Sequence, residues 1–208
     1  CSMLQAVANA FKLPDLRKKI LFTLLILVIY RLASHVPVPG VNLEALREVF
    51  RQNQLLGLLD MFSGGAMSNF SVMAMGVYPF ITAQIVLQLL QPIIPSLNRL
   101  AQEGEAGRQK MNTYTHLLTI PLAALQGFSQ ASLLSQAGGV SGPAIANFGF
   151  RAGTWLPTVA TLATLTAGTL FAIWLGTLID QQGIGNGISI IIFGGIVASI
   201  PQRLAQLW

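Results

Sequence analysis

The sequence predicts an all-α fold: a polytopic membrane helix bundle with five transmembrane helices, the second of them broken. Three observations carry the prediction. Hydrophobic residues make up 53% of the 208-residue chain and charged residues only 9%, where a soluble domain carries roughly 25% charge. The apolar residues fall in blocks of spanning length, which takes roughly 20 residues. The third is the stretch from Leu58 to Leu90, apolar enough for a bilayer but interrupted by Gly64-Gly65, Ser68-Asn69, Gly76 and Pro79. Broken backbone is tolerated at membrane depth only where protein buries it or where it borders water. The breaks therefore read either as a kinked packing helix under a loop or as the mark of a pathway.

The charge balance supports the same class. Twelve Lys and Arg against seven Asp and Glu give a net charge of +5. They are spread without a dense basic patch, so they read as membrane topology and no nucleic-acid partner is expected. Cys1, the single cysteine, precedes Ser2 and Met3. Residues 1–2 read as a scar ahead of a start at Met3, and no disulfide, metal cluster or cofactor is expected. His35 and His116 read as helix-end or packed residues.

Residues 3–19 form a cytosolic amphipathic segment, with Leu4, Val7, Ala8, Phe11 and Leu13 set against Gln5, Asn9 and Lys12. Pro14-Asp15 restarts the chain, and Arg17-Lys18-Lys19 precede the first long apolar run. A cleaved signal peptide shares that outline, but the run is too long and lacks a small-residue cleavage site. Residues 20–208 form the five-span domain. The first span is expected over Ile20–Val38, with Arg31 inside it snorkelling or structurally paired rather than acting directly in transport. Pro37-Val38-Pro39-Gly40 ends it, and a short amphipathic helix follows, capped by Asn42. Past the broken stretch, Gln91 to Asn112 is a polar segment containing EGEAGRQK; it reads as a solvated loop or, with both signs of charge and two glycines, as a partner surface. The third span, Asn112–Gln136, contains Pro121. Phe148, Phe150 and Trp155 suggest an aromatic belt. The fourth span, Thr154–Ile179, has small residues that let helices approach closely. Asp180-Gln181-Gln182 is a turn, and the fifth span opens at Gly183-Ile184-Gly185-Asn186-Gly187 and ends at Pro201 and Arg203. Five spans place Lys12, Arg17, Lys18, Lys19, Arg99, Arg108 and Lys110 on the N-terminal side, against Arg47, Arg51, Arg151 and Arg203 opposite. The N terminus is accordingly expected inside. An odd number of spans also suits an inverted repeat around a midplane pathway.

Taken in order, PVPG, MFSGGAMSNFSVMAMGVYPFITAQIVLQLL, EGEAGRQK and GIGNGISIIIFGGIVASIP resemble the SecY family of protein-translocation channel subunits. The resemblance covers Met3 to Trp208 and implies the N-terminal half of a ten-span channel made of two inverted halves. It implies a bacterial inner-membrane location, passage of unfolded polypeptide across and laterally into the membrane, and no enzymatic activity. The partners it implies are the SecE and SecG subunits, the SecA motor ATPase or the ribosome, signal peptides and nascent polypeptides, and the lipid bilayer.

By the same resemblance, about Leu58 to Val72 matches the plug, with Leu58, Leu59, Met61 and Phe62 in it and Gly64, Gly65 and Gly76 as hinges. About Met73 to Leu90 matches a helix lining the pore and one side of the lateral gate. Val77, Ile81, Ile85, Ile188 and Ile192 match a hydrophobic pore ring, and two further members would come from the other half. Val77 stands where isoleucine is commoner, which should loosen the seal slightly. Arg99, Glu103, Glu105, Arg108 and Lys110 match the docking loop for the motor or ribosome.

Spacing alone puts Val77, Ile81 and Ile85 on one helix face and Ile188 and Ile192 on another, a stripe equally suited to ordinary packing. A solute transporter half is the alternative class; it needs an intramembrane acid or paired charge, and its only candidates are Arg31 and the interfacial Asp60 and Asp180. No catalytic constellation sits at span depth. Without its other half, the pore face invites self-association as a two-fold dimer.

Overall fold

The computed structural model describes residues 5, 8–9, 11–62, 65–136, 142–145 and 147–206, with the side chains at 61, 62, 202, 203 and 206 excepted. Eight helices have described bounds: α1 Pro14–Ala33, α2 Leu43–Gln52, α3 Gln54–Phe62, α4 Tyr78–Leu90, α5 Pro95–Gln102, α6 Glu105–Gln136, α7 Trp155–Gln182 and α8 Gly187–Gln206. Among the described residues there is no β-strand, only two isolated bridges, Pro37 to Ser71 and Val41 to Ile145.

The bundle is organised around α7, which packs against α1, α4, α6 and α8. Its buried positions include Thr158, Thr161, Gly168, Thr169, Ala172 and Gly176, small enough for neighbouring backbones to close in. A Cβ on Gly168 would collide with the Val72 carbonyl, and one on Gly187 with the backbone of Gly176. Interhelix loops gather at two opposite ends. At one, the backbone of 36–38 pairs with that of 70–72 (Val38 N–H to Phe70 O, 3.0 Å; Val72 N–H to Val36 O, 3.0 Å), and Asn42 N–H donates to Ala144 O at 2.8 Å. At the other, the turn after α7 meets α1, where Thr23 Oγ1, midway along that helix, accepts the Ile184 N–H at 3.3 Å.

Length and composition qualify α6 and α7 as membrane crossings, and a third if α4 and α5, bent by 102° at their junction, are taken together. The other two expected spans are less clean. The first carries charges at both ends, and the apolar part of α8, Gly187–Pro201, is short. The expected first span over Ile20–Val38 is corrected to Pro14–Ala33. Pro14 supplies a pre-set φ at the helix start, so Arg17-Lys18-Lys19 lie within α1. Ser34 Oγ (2.7 Å) and His35 Nδ1 (2.8 Å) both donate to the Arg31 carbonyl and close the far end. Arg31 thus stands in the last turn of α1 rather than deep in a span.

Other boundaries shift for comparable local reasons. Asn42 does cap α2, its Oδ1 accepting from the N–H of Glu44 (3.1 Å) and Ala45 (3.3 Å). EGEAGRQK is not a loop: Glu105 to Lys110 begin α6, after a turn at Gly104 with φ +74°. Asp180-Gln181-Gln182 are not a turn but the end of α7, and the chain reverses over Gly183–Asn186. Pro201 does not stop α8, which continues to Gln206.

Candidate functional site

The broken stretch is helix α3, then a run of turns over 65–77, then α4. Neither part begins where the sequence suggested. α3 starts at Gln54 rather than Leu58 and ends at Phe62, and α4 starts at Tyr78 rather than Met73. Asp60 organises the first turns: its carbonyl accepts the Gly65 N–H at 3.0 Å and its Oδ1 the Ser68 N–H at 2.8 Å. The Gly65 carbonyl in turn accepts from Ser68 Oγ and Asn69 Nδ2, both at 3.1 Å. Gly65 (φ +81°) and Gly76 (φ +54°) bound the run in left-handed conformations. Between them Phe70, wholly buried, also has φ +41°. A left-handed backbone costs a side-chain-bearing residue ~1–2 kcal/mol. Burial of the ring and the pairing of 70–72 with 36–38 hold Phe70 there. Leu58 and Leu59 are half-exposed on α3. The side chains of Met61 and Phe62, and all of Gly64, lie outside the described residues.

Four of the five aliphatic residues expected around a pore meet in one apolar cluster. Val77 is buried beside Ile26, Tyr30, Met73, Leu175, Ile179 and Ile191, with Ile81, Ile188 and Ile192 packed against the group. Val77 is the N-cap of α4 rather than a member of the helix. Ile85 stays 50% exposed, outside the cluster. The α8 side of the cluster is set by local chemistry. Asp180 Oδ1 accepts the Gly187 N–H at 2.6 Å, and Asn186 Oδ1 accepts the Ser189 N–H at 3.0 Å, satisfying donors that a helix start leaves open.

Apart from His116, expected as a helix-end or packed residue, several residues here were not singled out from the sequence. Thr82 Oγ1 accepts from Gln126 Nε2 at 3.2 Å, tying α4 to α6, and the rings of Phe80 and His116 meet at 5.4 Å. Gln130 Oε1 and Thr169 Oγ1 are buried with no hydrogen-bond partner among the described residues. Glutamines within the apolar run of α6 were the available signal for the first and third of these.

Arg99, Glu103, Glu105, Arg108 and Lys110 are all exposed along α5 and the start of α6. Gly107 lets these helices touch, since a Cβ there would collide with the Leu100 carbonyl. Lys110 Nζ lies 3.8 Å from Glu103 Oε2, both solvated, a pair contributing ~0–1 kcal/mol.

Apolar helices packed around α7, with loops gathered at two ends and a broken apolar segment wedged between them, define a multi-pass α-helical membrane protein. A family model described as SecY matches residues 71–208. The chain is 47% identical over 206 residues to the protein translocase subunit SecY of Streptomyces coelicolor, covering 97% of this chain and 47% of that protein. To the subunit of the same name from Thermotoga maritima it is 44% identical over 213 residues, covering 99% and 48%. The chain belongs to the SecY family. It spans about half the length of these relatives. In fold it is similar to Sec61 in a canine ribosome-channel complex from the endoplasmic reticulum, with TM-score 0.59 and 17% identity over 93% of this chain and 41% of that one. A structure described as that of a protein conducting channel matches equally, with TM-score 0.59.

Proposed function

We infer that this chain forms the N-terminal half of a protein-conducting channel, passing unfolded polypeptide across and laterally into a bacterial inner membrane, with its N terminus in the cytoplasm. In this reading α3 and the turns over 65–77 are the plug, α4 is one side of the lateral gate, and Val77, Ile81, Ile85, Ile188 and Ile192 are its share of the pore ring. Such a constriction blocks ions by dewetting and stretches around a peptide, which requires no chemistry from the chain. SecE and SecG are its companion subunits, and the exposed charges from Arg99 to Lys110 are where SecA or a ribosome docks. One observation carries the reading: Val77 and Ile81, far in sequence from Ile188 and Ile192, join them in one cluster directly after the broken segment.

A solute transporter fits the same residues less well. Ion coupling needs an acid free to exchange its cargo, yet Asp60 holds the turn at Ser68 and Asp180 holds the start of α8. The test is Ile192→Asn in this chain joined to the complementary half of the Thermotoga maritima relative and its companion subunits, in planar bilayers. Resting ion conductance should rise severalfold, with Ile81→Asn acting in the same direction. Unchanged conductance in both variants overturns the ring assignment.

A further inference from the structure

The two left-handed glycines that bound the broken segment each face a side chain from the same turn of α1. A Cβ on Gly76 would stand 3.1 Å from Tyr30 Oη, and one on Gly65 would stand 3.9 Å from Arg31 Nη1. Tyr30 and Arg31 are consecutive in sequence. Their turn is held firmly, because Ser34 N–H bonds Tyr30 O at 2.9 Å and both Ser34 Oγ and His35 Nδ1 close on Arg31 O. Tyr30 is buried in the cluster that contains Met73 and Val77, and Arg31 is half-buried.

The Gly65 end is also where the chain knots around a carboxylate, with Gly65 N–H on the Asp60 carbonyl and Ser68 N–H on Asp60 Oδ1. A guanidinium at the end of a membrane helix is retained where neighbouring groups satisfy it. Displacing the segment would strip Arg31 of that setting and leave the Tyr30 hydroxyl without the glycine surface it lies on.

We propose that Tyr30-Arg31 is a latch: a positioning pair by which α1 holds the segment 65–76 in its seat and sets how readily it leaves. Gly65 and Gly76 are the two pivots, and each lies beside one arm of the latch. The proposal rests on the reading of this segment as the channel's plug, but its test needs no translocation.

The 208-residue chain is prepared with Cys1→Ser and Ser71→Cys, a near-isosteric change at a buried position between the pivots. It is reconstituted in lipid nanodiscs and exposed to a membrane-impermeant maleimide. Labelling should be slow in this parent. It should accelerate about tenfold with Arg31→Gln, which removes the charge beside Gly65, and return to within about threefold of the parent with Arg31→Lys, which keeps the charge without the planar fork. Parental labelling with Arg31→Gln overturns the latch. Should Arg31→Gln not fold, Tyr30→Phe decides, since it removes only the oxygen facing Gly76. Labelling at least about threefold faster, on the scale of a modest side-chain contact, supports the latch, and an unchanged rate overturns it. Faster labelling in chains whose Ile192→Asn counterpart shows no leak would leave the latch standing and remove the channel reading. Unchanged labelling beside a leaking Ile192→Asn does the reverse.

Discussion

The two helices that bring the aliphatic cluster together begin in opposite ways. α8 starts on its own chemistry: Asp180 and Asn186 side chains cap its first N–H groups, and Gly187 lies flat against Gly176 of the preceding helix. α4 starts with Val77 at its N-cap, without a side-chain cap, after turns that pass through three left-handed residues. The α8 side is therefore specified within a dozen residues of chain. The α4 side is specified by what surrounds it: the 36–38 loop, Gly168 of α7 and the last turn of α1. One wall of the cluster is thus fixed by its own sequence and the other by its surroundings, the arrangement that the proposed gate would need.

Substitutions of decreasing effect test the contrast. Gly187→Val drives a branched side chain into the Gly176 backbone; it should abolish the fold or destabilise it by more than ~4 kcal/mol, read from the SDS-denaturation midpoint in mixed micelles. Tolerance there would mean that the α7–α8 contact is not rigid. At Phe70→Gly two effects oppose. Loss of a buried ring costs ~3–5 kcal/mol and relief of the left-handed backbone returns ~1–2 kcal/mol, leaving a net destabilisation of about 1–4 kcal/mol. A stabilised Phe70→Gly would show that strain, not packing, dominates the broken segment. Asp180→Ala removes a cap and should lower stability by ~1–2 kcal/mol in the same assay. Thr82→Val, which cuts the tie from α4 to Gln126, should cost only ~0.6 kcal/mol, the scale of interhelical hydrogen bonds within membranes. Were Thr82→Val to cost more than Asp180→Ala, the assignment of fixed and releasable walls would have to be exchanged.

Much of the architecture was legible because its causes are local. Asn42 reads as a cap and acts as one, since an Asx side chain reaches N–H groups two and three residues on. Pro37 and Pro39 suggested a later close to the first helix than the one observed, because α1 ends at Ala33, where Ser34 and His35 close on the Arg31 carbonyl. Asp180 misled: an acid beside two glutamines suggests a solvated turn, whereas its carboxylate bonds an N–H seven residues ahead, across the true turn at 183–186. EGEAGRQK misled in the same manner, because its charge indicates solvent exposure but not the helix that exposes it. The stripe of Val77, Ile81 and Ile85 was legible as a spacing. That Val77 caps the helix, and that Ile85 stays outside the cluster, depends on where α4 starts, and no local signal states that.

By itself the sequence determined the helical membrane class, the presence of a break in the second apolar stretch, and the family, because composition, spacing and motif are carried by the residues alone. Only the tertiary structure decided how the break is folded. Phe70 in a left-handed conformation, Gly168 under the Val72 carbonyl, and Gly65 and Gly76 beside Arg31 and Tyr30 are contacts between residues up to about a hundred positions apart. Local preference at Phe70 points the other way, and the free energy that overrides it comes from burial and backbone pairing that exist only once the helices have packed.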